Sequence, residues 1–107
     1  MGFCFSKPDK KQILKESREL VENNARALTV CAELAAGELK DKIERLRDAV
    51  KFMTPTENVG ATQLDKKISA LAGDLKIALN KSGDRGLLQA EELAEDINLA
   101  ITERNAY

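Results

Sequence analysis

Apolar positions along the chain recur at intervals of three and four, and no segment alternates at period two for long enough to make a strand. Leu39, Ile43, Leu46, Val50 and Met53 step by four, three, four, three, the signature of a helix buried along one narrow stripe. Upstream, Leu14, Ser17, Val21, Asn24, Leu28 and Cys31 keep the same alternation. The two registers join through Ala35 by two consecutive four-residue steps, an irregularity that locally relaxes a left-handed supercoil. The expectation is one unbroken helix over residues 9–53, about 45 residues or roughly 65 Å at 1.5 Å per residue.

Pro8, and Asp9 with Gln12 three residues later, mark the start of that helix, because proline fits a first turn and the acid–amide spacing caps free amides. Thr54-Pro55-Thr56-Glu57-Asn58-Val59-Gly60 ends it with a helix-stopping proline, turn formers and a glycine. A second helix is expected over 61–81, with its seam at Ala61, Leu64, Ile68, Leu71, Leu75 and Ala78 and with Lys81 at the terminus where the dipole favours a cation. Ser82-Gly83-Asp84-Arg85-Gly86 is the next break. Leu87, Ala90, Ala94, Ile97 and Ile101, thickened by Leu93 and Ala100, carry a third helix over 86–104. The fold class is therefore all-α: a helical bundle of one long N-terminal helix and two shorter antiparallel helices, forming a single domain over 9–107 behind a flexible apolar and basic tail, 1–8.

Two arrangements fit these lengths. In a three-helix bundle, the second and third helices form a hairpin against the C-terminal half of the first. In a kinked helical hairpin, they run as one bent rod that pairs with another hairpin. Either leaves the seam of Leu14, Val21, Asn24, Leu28 and Cys31 uncovered within one chain, and apolar area left in water costs about 25 cal/mol per Å². A homodimer, or docking on another helical protein, is the expected consequence. Asn24 and Ser17 at seam positions are read either as fixing register and oligomer state or as lying on an exposed end. Ala36-Gly37-Glu38-Leu39-Lys40 is echoed by Ala72-Gly73-Asp74-Leu75-Lys76; the echo suggests a close backbone approach between facing glycines.

Composition narrows the chemistry. The 107 residues hold 17 Lys and Arg against 18 Asp and Glu and contain no His, which removes imidazole-based catalysis and the commonest transition-metal ligand. The net charge of −1 sets up no overall field toward nucleic acid. Lys40, Lys42, Arg45, Arg47 and Lys51 alternate with Glu38, Asp41, Glu44 and Asp48 as a solvated face, and no aromatic platform accompanies them. Two cysteines, Cys4 and Cys31, are too few for a disulfide framework or zinc site, and Cys31 reads as a small apolar core residue. With no secretory leader or spanning segment in the pattern, a cytoplasmic location is expected.

Two features point elsewhere. Gly2, Phe3, Cys4 and Phe5 precede Lys7, Lys10 and Lys11, in outline a lipidated, basic membrane contact, although Phe3 fits the acylation pattern poorly. Glu91, Glu92, Glu95 and Asp96 form the densest charge cluster and should be offset by Lys40, Lys42, Arg45 and Arg47, within the bundle or across a dimer. Read as chemistry instead, the same acids with Glu38 and Asp41 would hold magnesium, as in helical nucleotide pyrophosphohydrolases, though their order and spacing do not match that class. The sequence thus favours a non-catalytic interaction or scaffold module with no cofactor and no catalytic or metal residue. A peripheral membrane adaptor and a magnesium-dependent hydrolase are the alternatives.

Overall fold

The computed structural model describes residues 10–81 and 83–107. They form four helices, α1 (Lys10–Leu34), α2 (Gly37–Lys51), α3 (Val59–Asn80) and α4 (Asp84–Asn105), with no strand among the described residues. The helix expected over 9–53 is therefore two. Leu34 ends α1, Ala36 is extended at φ −139°, ψ 159°, and Gly37 takes φ +63°, a conformation glycine reaches without the steric cost other residues meet. The paired four-residue steps through Ala35 are the footprint of a chain reversal, not of a relaxed supercoil. Pro8 and Asp9, expected to start α1, lie outside the described residues.

Local chemistry sets the other boundaries. The Asn58 side chain accepts from the Ala61 N–H at 3.0 Å and caps α3, which begins at Val59, two residues before the expected start. Gly83, at φ +99°, leads into α4. Lys81 closes the preceding turn by donating its N–H to the Ala78 carbonyl, and its Nζ reaches Gln89 Oε1 at 3.1 Å.

Contacts arrange the helices in a square. α1 packs on α2 and α3, and α4 packs on α3 and more sparingly on α2, whereas the backbones of α1 and α4 stay apart, as do those of α2 and α3. α1 and α3 run parallel, since Asn24 meets Asp65 and, seven residues further along both helices, Cys31 meets Ala72. The segment joining α2 to α3 consequently crosses one end of the bundle between diagonal corners.

All four stripes meet in one core that includes Leu28, Cys31, Ile43, Val50, Ile68, Leu75, Ile97 and Ile101. The seam assigned to self-association lies inside it: Val21, Asn24, Leu28 and Cys31 are buried within the single chain and Leu14 is half-buried. That seam offers no free face to a second copy. Its cover comes from α2, the second half of the stretch read as one rod, which folds back along the first. On α3 the buried stripe runs through Ala61, Asp65, Ile68, Ala72 and Leu75, while Leu64 and Leu71, expected on the seam, are half-buried; on α4, Leu87 is exposed.

The glycine echo does not mark a close approach. Gly37 starts α2, Gly73 sits inside α3, and a Cβ at either would meet nothing within 4 Å. The tight glycine is Gly86, where a Cβ would fall 2.9 Å from the carbonyl oxygens of Ala78 and Lys81.

Candidate functional site

The chemistry-bearing side chains that the fold draws together lie where α1, α3 and α4 meet beneath the crossing segment. Asp65, on the buried stripe of α3, accepts from Arg104 Nε through Oδ1 at 3.0 Å and from Ser17 Oγ through Oδ2 at 3.1 Å. Arg104 Nη2 donates to the Thr54 carbonyl at 2.7 Å, and the Thr56 N–H donates to Ser17 Oγ at 3.0 Å. Asn24 Nδ2 completes the cluster by donating to the Asp65 carbonyl at 3.0 Å. The Asp65 and Arg104 side chains retain 0% and 7% of their exposure, so this ion pair is held away from water.

Every bond in this cluster ties one element to another. Asp65 joins α3 to α1 and α4, and Thr54 and Thr56 pin the crossing segment to both. The Ser17 hydroxyl is hydrogen-bonded to a carboxylate, as a nucleophile would be, yet it is fully buried and has no base with an imidazole's reach. Asn24 Oδ1 is the one buried side-chain polar atom among the described residues without a partner. The arrangement fixes register and angle between helices; it does not expose a reacting group. Burial of Ser17 and Asn24 within the chain removes the reading that they lie on an exposed end.

Asp65 and Arg104 were not singled out from the sequence, where charged residues read as solvent-facing. The signal was present: Ala61, Asp65, Ile68, Ala72 and Leu75 step by four, three, four, three, and Ile97, Ile101 and Arg104 continue α4's stripe. A charge standing on an apolar stripe with an opposite charge on another stripe is the pattern to search for.

The acidic group stays dispersed. Glu91, Glu92, Glu95 and Asp96 are exposed on α4, and of the cations expected to offset them only Lys42 approaches, at 3.9 Å from Glu95. Arg47 instead pairs with its neighbour Asp48 at 3.0 Å. Among the described residues no three Asp, Glu, Cys or His side chains gather as metal ligands, so the magnesium reading finds no converging set in Glu38, Asp41 and the α4 acids. Cys31 donates through Sγ to the Ala72 carbonyl at 3.6 Å, and burial pushes its thiol from 9.0 up to about 11, partly opposed by Lys76. Its nucleophilic thiolate is correspondingly disfavoured.

Of the proposed membrane contact, Gly2, Phe3, Cys4, Phe5 and Lys7 lie outside the described residues, while Lys10 and Lys11 are exposed in the first turn of α1. No helix among the described residues is long and apolar enough to cross a membrane.

Two surface features remain. At the end of the bundle carrying the α1–α2 and α3–α4 links, Leu34 and Leu87, 43% and 49% exposed, border a shallow cavity of about 300 Å³ with Leu39 and Leu79. Along the outer seam of α1 and α2 runs a groove of about 560 Å³, lined by Val21, Ala25 and Thr29 and by charges of both signs, Arg26, Arg47 and Lys51 with Glu22 and Asp48. The site and fold therefore define a single-chain four-helix bundle with a structural polar core and open surface grooves. Comparison with protein-family models, curated proteins and solved structures finds no match to this chain.

Proposed function

We propose that the protein is a non-catalytic helical module that works by presenting a surface to another helical protein or to further copies of itself. The observation that carries this reading is the apolar end of the bundle, where Leu34 and Leu87 stand partly in water beside a cavity walled by Leu39 and Leu79. Scattered exposed leucines are ordinary, but apolar side chains grouped around a depression are how interaction surfaces are built. The interior supports the same reading, because its serine, carboxylate and guanidinium are already committed to one another.

Size-exclusion chromatography of an extract from the native source tests it, with the protein followed immunologically. A position well above the 11.8 kDa of one chain is expected, and Leu34→Gln with Leu87→Gln should return it toward that mass while leaving helicity intact. Elution of the native protein as a lone chain would overturn the reading.

A further inference from the structure

Aromatic side chains are the largest apolar groups a core can use, yet Phe52 and Tyr107 stay outside it, 80% and 66% exposed. Both stand at the end of the bundle opposite Leu34 and Leu87, where α1 and α3 begin and α2 and α4 finish. They are neighbours there. Phe52 and Tyr107 border one depression of about 450 Å³ with Thr54 and Arg104, and the Tyr107 ring lies over the first turn of α3, so that a Cβ at Gly60 would fall 2.8 Å from its Cε1. Val59, 55% exposed, opens that turn. The other two aromatic residues of the chain, Phe3 and Phe5, lie outside the described residues, but the covalent chain keeps them within about 25 Å of Lys10, where α1 enters this same end.

Charge is sorted along the same axis. Residues 10–26, 47–67 and 97–107, which make up this half of the bundle, hold ten Lys and Arg against seven Asp and Glu, whereas residues 27–46 and 68–96 hold six against ten. At the tip, Lys10, Lys11, Lys15 and Arg18 are exposed, and the one acid among residues 10–18, Glu16, is held by Lys66 at 3.0 Å. Glu57 and Glu103 are exposed acids of the tip, and the basic excess stands with both counted. Rings and cations together, at the tip of a rod and not along its side, suit a planar partner with an anionic surface and an apolar interior: aromatic rings settle at headgroup level and basic residues are drawn to acidic lipids.

We propose that this end docks on an anionic bilayer surface, with Phe52, Val59 and Tyr107 entering the headgroup region and Lys10, Lys15 and Arg18 facing acidic headgroups. This goes beyond the reading of the protein as an interaction module, because it gives the second end of the rod its own partner and leaves the Leu34 and Leu87 end open to a protein.

Tyr107 is the only tyrosine and the chain has no tryptophan, so the intrinsic emission of the full chain reports on this end alone. The test titrates the full chain with vesicles of phosphatidylcholine, or of three parts phosphatidylcholine to one of phosphatidylserine, with and without bromine on the acyl chains, and follows pelleting in parallel. Brominated anionic vesicles should quench Tyr107 and brominated phosphatidylcholine should not, and pelleting should fall between 50 mM and 500 mM NaCl. Lys15→Glu with Arg18→Glu, and separately Phe52→Ser, should each weaken binding about tenfold while circular dichroism shows the fold retained. Leu34→Gln with Leu87→Gln should leave it unchanged.

A chain that neither pellets nor is quenched overturns the proposal, as does pelleting without quenching, which would put another face on the bilayer. Binding that does not need phosphatidylserine, or that Leu34→Gln with Leu87→Gln abolishes, overturns it as well. If vesicles leave the chain unbound while Phe52→Ser breaks up the complex in the native extract, this end belongs to a protein. A lone chain in the extract with vesicle binding intact removes the broader reading and leaves this inference standing.

Discussion

Asp65 has no exposure and both its carboxylate oxygens engaged, so deleting either member of its ion pair strands a buried charge. Removal of one partner from such a pair typically costs about 3–5 kcal/mol. Arg104→Ala should lower stability by that amount in urea titration, more than Lys42→Ala, whose exposed contact with Glu95 spans 3.9 Å. Equal losses for the two variants would show the buried pair to be no more important than a surface one. Cys31 gives a pH signature. A thiol raised to about 11 in the fold from 9.0 holds its proton longer folded than unfolded, so its contribution is complete below pH 9 and is lost as pH rises to 11. That loss is about 2–3 kcal/mol at 1.36 kcal/mol per pH unit. The wild type should lose stability over this window relative to Cys31→Ala, and alkylation of Cys31 at pH 8 should be slow until the chain is unfolded. At this scale the apolar members of the core, such as Leu28, Ile43 and Ile97, were legible from their spacing. Asp65 and Arg104 were not, because a charged side chain is buried only when a partner from another element is already in place.

At the scale of elements, glycines separate two kinds of constraint. Gly86→Ala would drive a methyl to 2.9 Å from two backbone carbonyl oxygens at the α3–α4 link, which cannot swing aside as a long side chain can; the expected cost is about 1–3 kcal/mol. Gly73→Ala, in mid-helix with open space around it, should instead stabilise by roughly 0.5–1 kcal/mol. Thermal denaturation of the two variants checks the opposite signs, and a gain for both would mean that the link is looser than its geometry. Helical periodicity and the Thr54–Gly60 break were readable because proline, asparagine and glycine act locally. The reversal at Ala35–Ala36 was not. No proline and no cluster of turn formers marks it, and the same Ala-Gly-acid-Leu-Lys string that begins α2 at Gly37 runs uninterrupted through α3 at Gly73. The string permits either conformation, and packing selects between them.

For the whole molecule, that reversal changes the meaning of the first helix. A rod of about 65 Å would have needed a partner chain; folded back on itself, it becomes one side of a body 57 Å long whose core is closed by its own four helices. The four helices close that core without a second chain. The melting temperature of Leu34→Gln with Leu87→Gln should accordingly not change with protein concentration, whereas a fold that depended on assembly would melt higher as concentration rises.

The alternation of apolar and polar positions was enough by itself to make the chain all-helical, to mark which face of each helix turns inward, and to locate two of its three breaks, since these follow from bonds and contacts within a few residues. The break at Ala35–Ala36, the parallel pairing of α1 with α3, and the burial of Ser17, Asn24, Asp65 and Arg104 together were decided only in three dimensions. Each depends on which stripe covers which, a choice set by competition among distant segments for the same apolar surface.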